Sequence, residues 1–420
     1  MKRLVSLVLS AFVFSASFIN SAFAEEPEIT VFINGEKIEF DVSPMLINDR
    51  TMVPMRAVFE KLGAEVIWNG DENTVRAYNN EKSVLLTIGS SYMETDEDII
   101  KLDAPAIIHN ERTLIPLRAV TESFMCNVSW DGNTRSVNVY TPDFAYMMQE
   151  TVEVATPSEL IESIGSNKRI VLTADYYNLS DVILSLTPIE NTHINNFEAK
   201  AFGNIVVENV SNMTITGDAE IVIENIYSDV LTFRDCENIT LSGLKIGHLE
   251  PLEEYSCEGA VLNLENCSGV TVEKCSLYGC GAVGLQTSGV TELNINECKI
   301  YDCSYTGVWL TNGTKASVKN TEFYDSLTLS GFIRVDNSNI VCENSKIHNI
   351  TAPIGEDAPG FVDTFDLDGT PSVIHFIGCE FKDNKFEKIT NSETVNLVFE
   401  KCTFDNNIGS VDTSNAFFIN

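Results

Sequence analysis

A short block returns every 23 residues in the C-terminal half of this chain: Cys275-Ser-Leu-Tyr-Gly-Cys280, Cys298-Lys-Ile-Tyr-Asp-Cys303, Thr321-Glu-Phe-Tyr-Asp-Ser326. It continues through Ser345-Lys-Ile-His-Asn, Cys379-Glu-Phe-Lys-Asp and Cys402-Thr-Phe-Asp-Asn, with one interruption of about ten residues before Cys379. A fixed period of this size, made of short alternating runs punctuated by Asn and Gly, predicts a solenoid of strands. The repeat leaves no room for crossover helices. Successive coils must therefore stack their strands directly and in parallel, each burying its inward residues on the next. The expected fold class is mainly β, a parallel β-helix preceded by a small duplicated α+β domain.

The chain is 420 residues long and the repeat begins only after about residue 150. Two folded parts follow from that length. Lys2 and Arg3 precede an apolar run from Leu4 to about Phe18, and Ala22-Phe-Ala24 supplies small residues before a cleavage point, which predicts a secretory signal peptide over residues 1–24. No later stretch approaches the roughly 20 apolar residues that a membrane-spanning helix needs, so no membrane insertion is expected. The formal net charge is -34. Nucleic acid and anionic lipid both demand Lys and Arg to displace counterions, so neither is an expected partner.

Eleven cysteines in an exported chain would suggest disulfides. Here Cys275, Cys298, Cys379 and Cys402 share one repeat position with Thr321 and Ser345, as a small inward slot in a stacked coil would require. Buried, reduced thiols acting as small hydrophobes are expected. Neighbouring coils nevertheless bring Cys275 near Cys298, and Cys280 near Cys303, at about 4.8 Å.

Residues 45–78 and 107–140 align without gaps at a constant offset of 62. Asn48-Asp-Arg-Thr-Met-Val-Pro-Met-Arg-Ala-Val58 matches Asn110-Glu-Arg-Thr-Leu-Ile-Pro-Leu-Arg-Ala-Val120, and Trp68-Asn-Gly70 matches Trp130-Asp-Gly132. Each copy reads as a turn, a helix with Pro54 or Pro116 at its first position, and two strands joined by a polar turn. The tryptophans are expected to pack within residues 28–142. These paired blocks resemble the copper amine oxidase N-terminal-like, stalk-type domain. The resemblance implies attachment or presentation at the cell surface, with no oxidase chemistry, since the five His residues are scattered. Arg56 and Arg118 are candidates for fixing local turns or for binding an anionic wall polymer.

Thr156-Pro-Ser-Glu159 starts a short helix, expected to cap the solenoid, and Arg169-Ile-Val-Leu-Thr173 is read as its first strand. Residues 150–420 resemble the right-handed parallel β-helix family of the pectate-lyase type. Alternation turns Trp309 and Thr311 outward, then Arg334 and Asp336, then Asp366 and Asp368. Stacking would set Trp309, Arg334 and Asp366 in one column and Thr311, Asp336 and Asp368 beside it, with Asn263, Glu265 and Gln286 extending the face. A wall over residues 351–360 would flank it. These six residues are the candidate ligand-binding set, and Asp336, Asp366 and Asp368 the candidate catalytic carboxylates. The hydrolase blocks of the family are absent; only Gly247-His248, read as a loop, echoes one. No cofactor is expected, although a uronate-cleaving site would use calcium.

The expected function is that of a secreted or cell-surface protein binding a polysaccharide or other cell-wall component. The alternatives are a polysaccharide hydrolase or lyase, and a passive spacer.

Overall fold

The computed structural model describes residues 28–48, 50–79, 82–96, 99–124, 126–132, 134–185, 189–225, 227–249, 258–279, 282–353, 360–364, 371–390, 396–410 and 416–419. The signal-peptide reading, Asp366 and Asp368 lie outside these residues. The chain divides into two compact units, one ending at Val139 and the other beginning at Tyr140.

In the first unit the two copies meet on a local twofold. Arg50–Pro54 and Arg112–Pro116 pair antiparallel with Val53 opposite Ile115, its own equivalent in the other copy, while Leu114 faces Pro54 and Met52 faces Pro116. Arg50 donates to Asp103 at 2.7 Å and Arg112 to Asp41 at 2.6 Å, a reciprocal pair at the same offset. Each copy continues into a helix, Met55–Lys61 or Leu117–Glu122, and then two strands, Glu65–Asn69 with Thr74–Tyr78 or Asn127–Asp131 with Ser136–Tyr140. The prolines sit one residue earlier than expected. With ψ of 116° and 108°, Pro54 and Pro116 end the strand as N-cap residues, because their fixed φ suits extended backbone as well as a helix start.

The tryptophans depart further from expectation. Trp68 is 41% exposed and Trp130 42%, whereas Val58, Phe59, Val120 and Ile115 are fully buried. Both tryptophans lie on edge strands of their sheets, where core contact is available on one side only.

The second unit is a β-helix whose coils each pass through three strands. Among the described residues, a front sheet runs from Val206–Glu208 to Val362–Asp363, a middle sheet from Glu150–Val154 to Ala416–Ile419, and a back sheet from Tyr176–Asn178 to Thr403–Asp405, all paired in parallel. The solenoid begins one strand earlier than the sequence suggested. Glu150–Val154 pairs with Lys168–Leu172, and the helix Pro157–Ser163 lies between them with Leu160 and Ile161 in the core. Thr156 and Glu159 form a reciprocal capping box, as their spacing predicted.

Left-handed residues mark the corners. Asn209, Asp235, Asn266, Gly289, Asn312 and Asn337 follow the front strands; Gly243, Lys274, Glu297, Asn320, Asn344, Gly378 and Lys401 follow the middle strands; Gly279, Asp302, Asp383 and Asn406 follow back strands, while Asp325 and Asn349 bend the longer back strands Glu322–Leu327 and Lys346–Thr351 from within. After the middle-strand corner comes the small column at Cys275, Cys298, Thr321, Ser345, Cys379 and Cys402. These side chains do more than fill space. Cys298 Sγ approaches the carbonyls of Val272 and Asn296 at 3.3 and 3.4 Å, Thr321 Oγ1 donates to Lys319 O at 2.9 Å, and Ser345 Oγ donates to Glu343 O at 2.9 Å. A corner carbonyl turned out of the ladder needs a donor, and thiol and hydroxyl both supply one. The nine described cysteines are free, eight of them buried.

Candidate ligand-binding face

Strand register assembles the outer surface of the front sheet. Asn263, Gln286, Trp309, Arg334 and Asp363 stand in one row down the coils. Glu265, Ser288 and Thr311 stand in the next, with Asp336 following Val335 at its end. The intervening Leu285, Val308, Leu310, Ile333 and Val335 are buried in the core, which fixes the outward phase.

Asp363, not Asp366, therefore follows Arg334. The run Phe365-Asp-Leu-Asp has the alternation of a strand, but the residue paired with Ile333 is Val362, three positions before Phe365. Asp366 and Asp368 have no described place in the row.

Trp309, Arg334 and Asp336 lock together. The indole Nε1 donates to Asp336 Oδ2 at 2.9 Å, and Arg334 Nε donates to the same oxygen at 3.2 Å. Arg334 also donates through Nη1 to Ser330 Oγ at 3.0 Å, and its guanidinium carbon lies 4.6 Å from the Trp309 ring centroid. The side chains of Arg334 and Asp336 are only 15% and 16% exposed. At that burial the ion pair and the cation–π contact are shielded from water and hold one another's rotamers. Trp309 is thus not an open platform: one face carries Arg334. Thr311 is also occupied, donating to Thr287 O at 2.9 Å.

Asp363 completes the cluster. Burial raises its carboxyl above the ordinary range, nearby Arg334 pulls it back, and Asp336 adds a smaller upward push. Asp363 and Ser330 escaped sequence reasoning, and the usable signal was the inward Val362 that sets the phase after the insertion.

Farther along the same face, Arg234 bridges Glu208 at 2.8 Å and Glu265 at 2.6 Å. Asn263 Nδ2 donates to Asp229 Oδ2 at 2.9 Å and Glu265 Oε1 at 3.1 Å, while its own Oδ1 is buried without a partner among the described residues. Gly247-His248, expected in a loop, belongs to the strand Lys245–His248, and His248 is buried with Nε2 2.8 Å from Ser228 O. Gly247 is required there because an added Cβ would lie 2.7 Å from the Tyr278 ring.

Residues 32–139 match the family model for the copper amine oxidase N-terminal domain, and residues 253–417 match that for the right handed beta helix region. The chain carries a copper amine oxidase N-terminal domain and a right-handed β-helix. No curated protein matches it. An alginate lyase from Paenibacillus sp. str. FPU-7 is 10% identical, with 64% of this chain and 98% of that one covered at a TM-score of 0.32. Pectate lyase Pel9A is 10% identical over 64% of this chain and 78% of its own, at 0.32. The Streptococcus pneumoniae surface protein and adhesin PfbA is 10% identical over 75% and 98%, at 0.25. The likeness of this β-helix to each is one of fold. Among the described residues of the copper amine oxidase N-terminal domain and the β-helix, no three His, Cys, Asp or Glu side chains form a metal-ligating group. No helix among those residues is long and apolar enough to cross a membrane.

Proposed function

We propose that this protein acts at the cell surface after export, its β-helix holding a polysaccharide or another cell-wall component on the front face and its first domain serving attachment. The observation that supports this most is the half-buried Trp309–Arg334–Asp336 cluster with Asp363 beside it. A surface that needed only solubility would leave such side chains mobile and hydrated. Here an arginine is fixed in orientation and an aromatic edge stands next to it, which suits hydroxyl and carboxylate recognition on a sugar. The acidity of the chain argues against nucleic acid or anionic lipid in the same place.

A glycan array with the full chain tests the reading. Arg334→Ala should weaken any binding found by about 2–3 kcal/mol, because it removes a fixed cation and frees the Trp309 ring. Trp309→Ala should cost about 1–3 kcal/mol. Binding untouched by both substitutions would refute the front face as the site.

The raised carboxyl of Asp363 favours a second reading, polysaccharide hydrolysis or elimination. Two carboxylates in unlike environments are what acid–base division of labour requires. Under that reading Asp363→Asn abolishes release of reducing or unsaturated ends from an array hit while binding persists. If the hit is never cleaved by the unaltered chain, the enzyme reading falls and the binding reading stands.

A further inference from the structure

The exposed tryptophans of the first domain carry a site of their own. Trp68 and Trp130 are equivalent residues, each on an edge strand and each about two-fifths exposed. Neither makes a hydrogen bond within the described chain, so both indole N–H groups are free donors. The glycine two residues on explains how they stay so. Gly70 and Gly132 have no left-handed φ, and the one atom that an added Cβ would meet at either is the indole Nε1, at 3.3 and 3.5 Å. Backbone conformation does not demand glycine there. What its absence of a side chain provides is an uncovered N–H edge, in both copies, although the copies differ at many other positions.

Asp71 and Glu72 lie in the turn that follows the Trp68 strand. Phosphate-bearing and uronate-bearing polymers are repelled by such a setting, and the chain's net charge of -34 adds to the effect. An uncharged pyranose has the matching chemistry. Its axial C–H face stacks on an indole, its hydroxyls donate to carboxylates, and one of its oxygens accepts from Nε1. We propose that Trp68 and Trp130 are paired stacking sites for an uncharged polysaccharide, with the Trp-x-Gly repeat as their structural signature. This rests on the attachment role given above to the first domain and names its ligand class. Two equivalent sites on one long polymer would act with avidity, so single losses should be modest and the double loss severe.

The test is retention of the full chain on insoluble cellulose, a plain glucan, and on chitin, its N-acetylated counterpart. The unaltered chain should be retained on at least one. Trp68→Ala and Trp130→Ala should each lower apparent affinity by roughly tenfold, and together they should abolish retention. The chain has three tryptophans. In a Trp309→Phe background, fluorescence therefore reports the two sites alone, and soluble cello- or chito-oligosaccharides should protect it from acrylamide quenching. If the alanine variants lose structure, Gly70→Val with Gly132→Val keeps both indoles and covers their edges, and it too should abolish retention. Failure of the unaltered chain to bind either polymer overturns the proposal, as does full retention of the folded double variant. Retention that depends on Trp309 alone overturns it while leaving the front-face reading intact. Retention lost in the double variant, with the protein still found in the cell-wall fraction, upholds the stacking sites and removes their role in attachment.

Discussion

The two units repeat themselves in opposite ways. The first closes: two copies turn about the Val53–Ile115 contact, and what one contributes the other returns, as Arg50 with Asp103 and Arg112 with Asp41 show. The second stays open: each coil is the previous one translated, and Cys298 touches the coil before it in the way that Cys275 and Cys402 do. A closed duplication makes every residue answer to one partner far along the chain. An open one makes it answer to neighbours a coil away, so faults should remain local.

The sharpest way to break that contrast is a large core deletion in the solenoid. Phe323 is fully buried with Phe332 edge-on at 5.7 Å. Phe323→Ala should cost about 3–5 kcal/mol, lowering the β-helix transition in calorimetry while the transition of the first unit stays put. Coupled movement of both would contradict independent repeats. A pH test comes next. Burial, the largest effect on His248, lowers its pKa, so the unfolded chain takes up the proton first as pH falls below about 6.5. The folded state should lose stability through that window, and His248→Gln should flatten the loss. An unchanged slope in the variant would assign acid sensitivity elsewhere.

Smaller effects probe the corners and the dyad. Burial raises Cys275 to about 11 and Cys298 to about 12, so these two thiols should resist a thiol reagent at neutral pH and react once the chain is unfolded without reductant. Disulfide-linked peptides from that column would refute free thiols. Cys298→Ala should cost about 1 kcal/mol, and Cys298→Ser less, since serine keeps the donor to the corner carbonyls. The weakest effects sharpen the comparison most. Arg50→Ala and Arg112→Ala, in exposed ion pairs, should each cost about 0.2–1 kcal/mol and match one another closely, whereas unequal costs would mean that the dyad is geometric but not energetic.

Most of the solenoid was legible because inward alternation and corner residues are both local signals. Legibility failed where a local signal did not fix the register. Phe365-Asp-Leu-Asp alternates like a strand, and only the register of Val362 against Ile333 shows that the front row passes through Asp363. Gly247 reads as a loop residue, yet the Tyr278 ring one coil later imposes it on a strand. Trp68 has the right phase for the core, beside buried Val75, but its strand is the last in the sheet and part of the ring runs out of core to cover. Each miss concerns a neighbour distant in sequence.

The corner column also makes the solenoid's length a quantity that can be edited. Because Cys275, Cys298 and Thr321 are interchangeable places one period apart, excising residues 298–320 would join two corners of the same kind and shorten the stack by one strand spacing, about 4.8 Å. Lineages could lengthen or trim such a rod by recombination between coils without redesigning either end, in the manner of a ruler cut at its graduations.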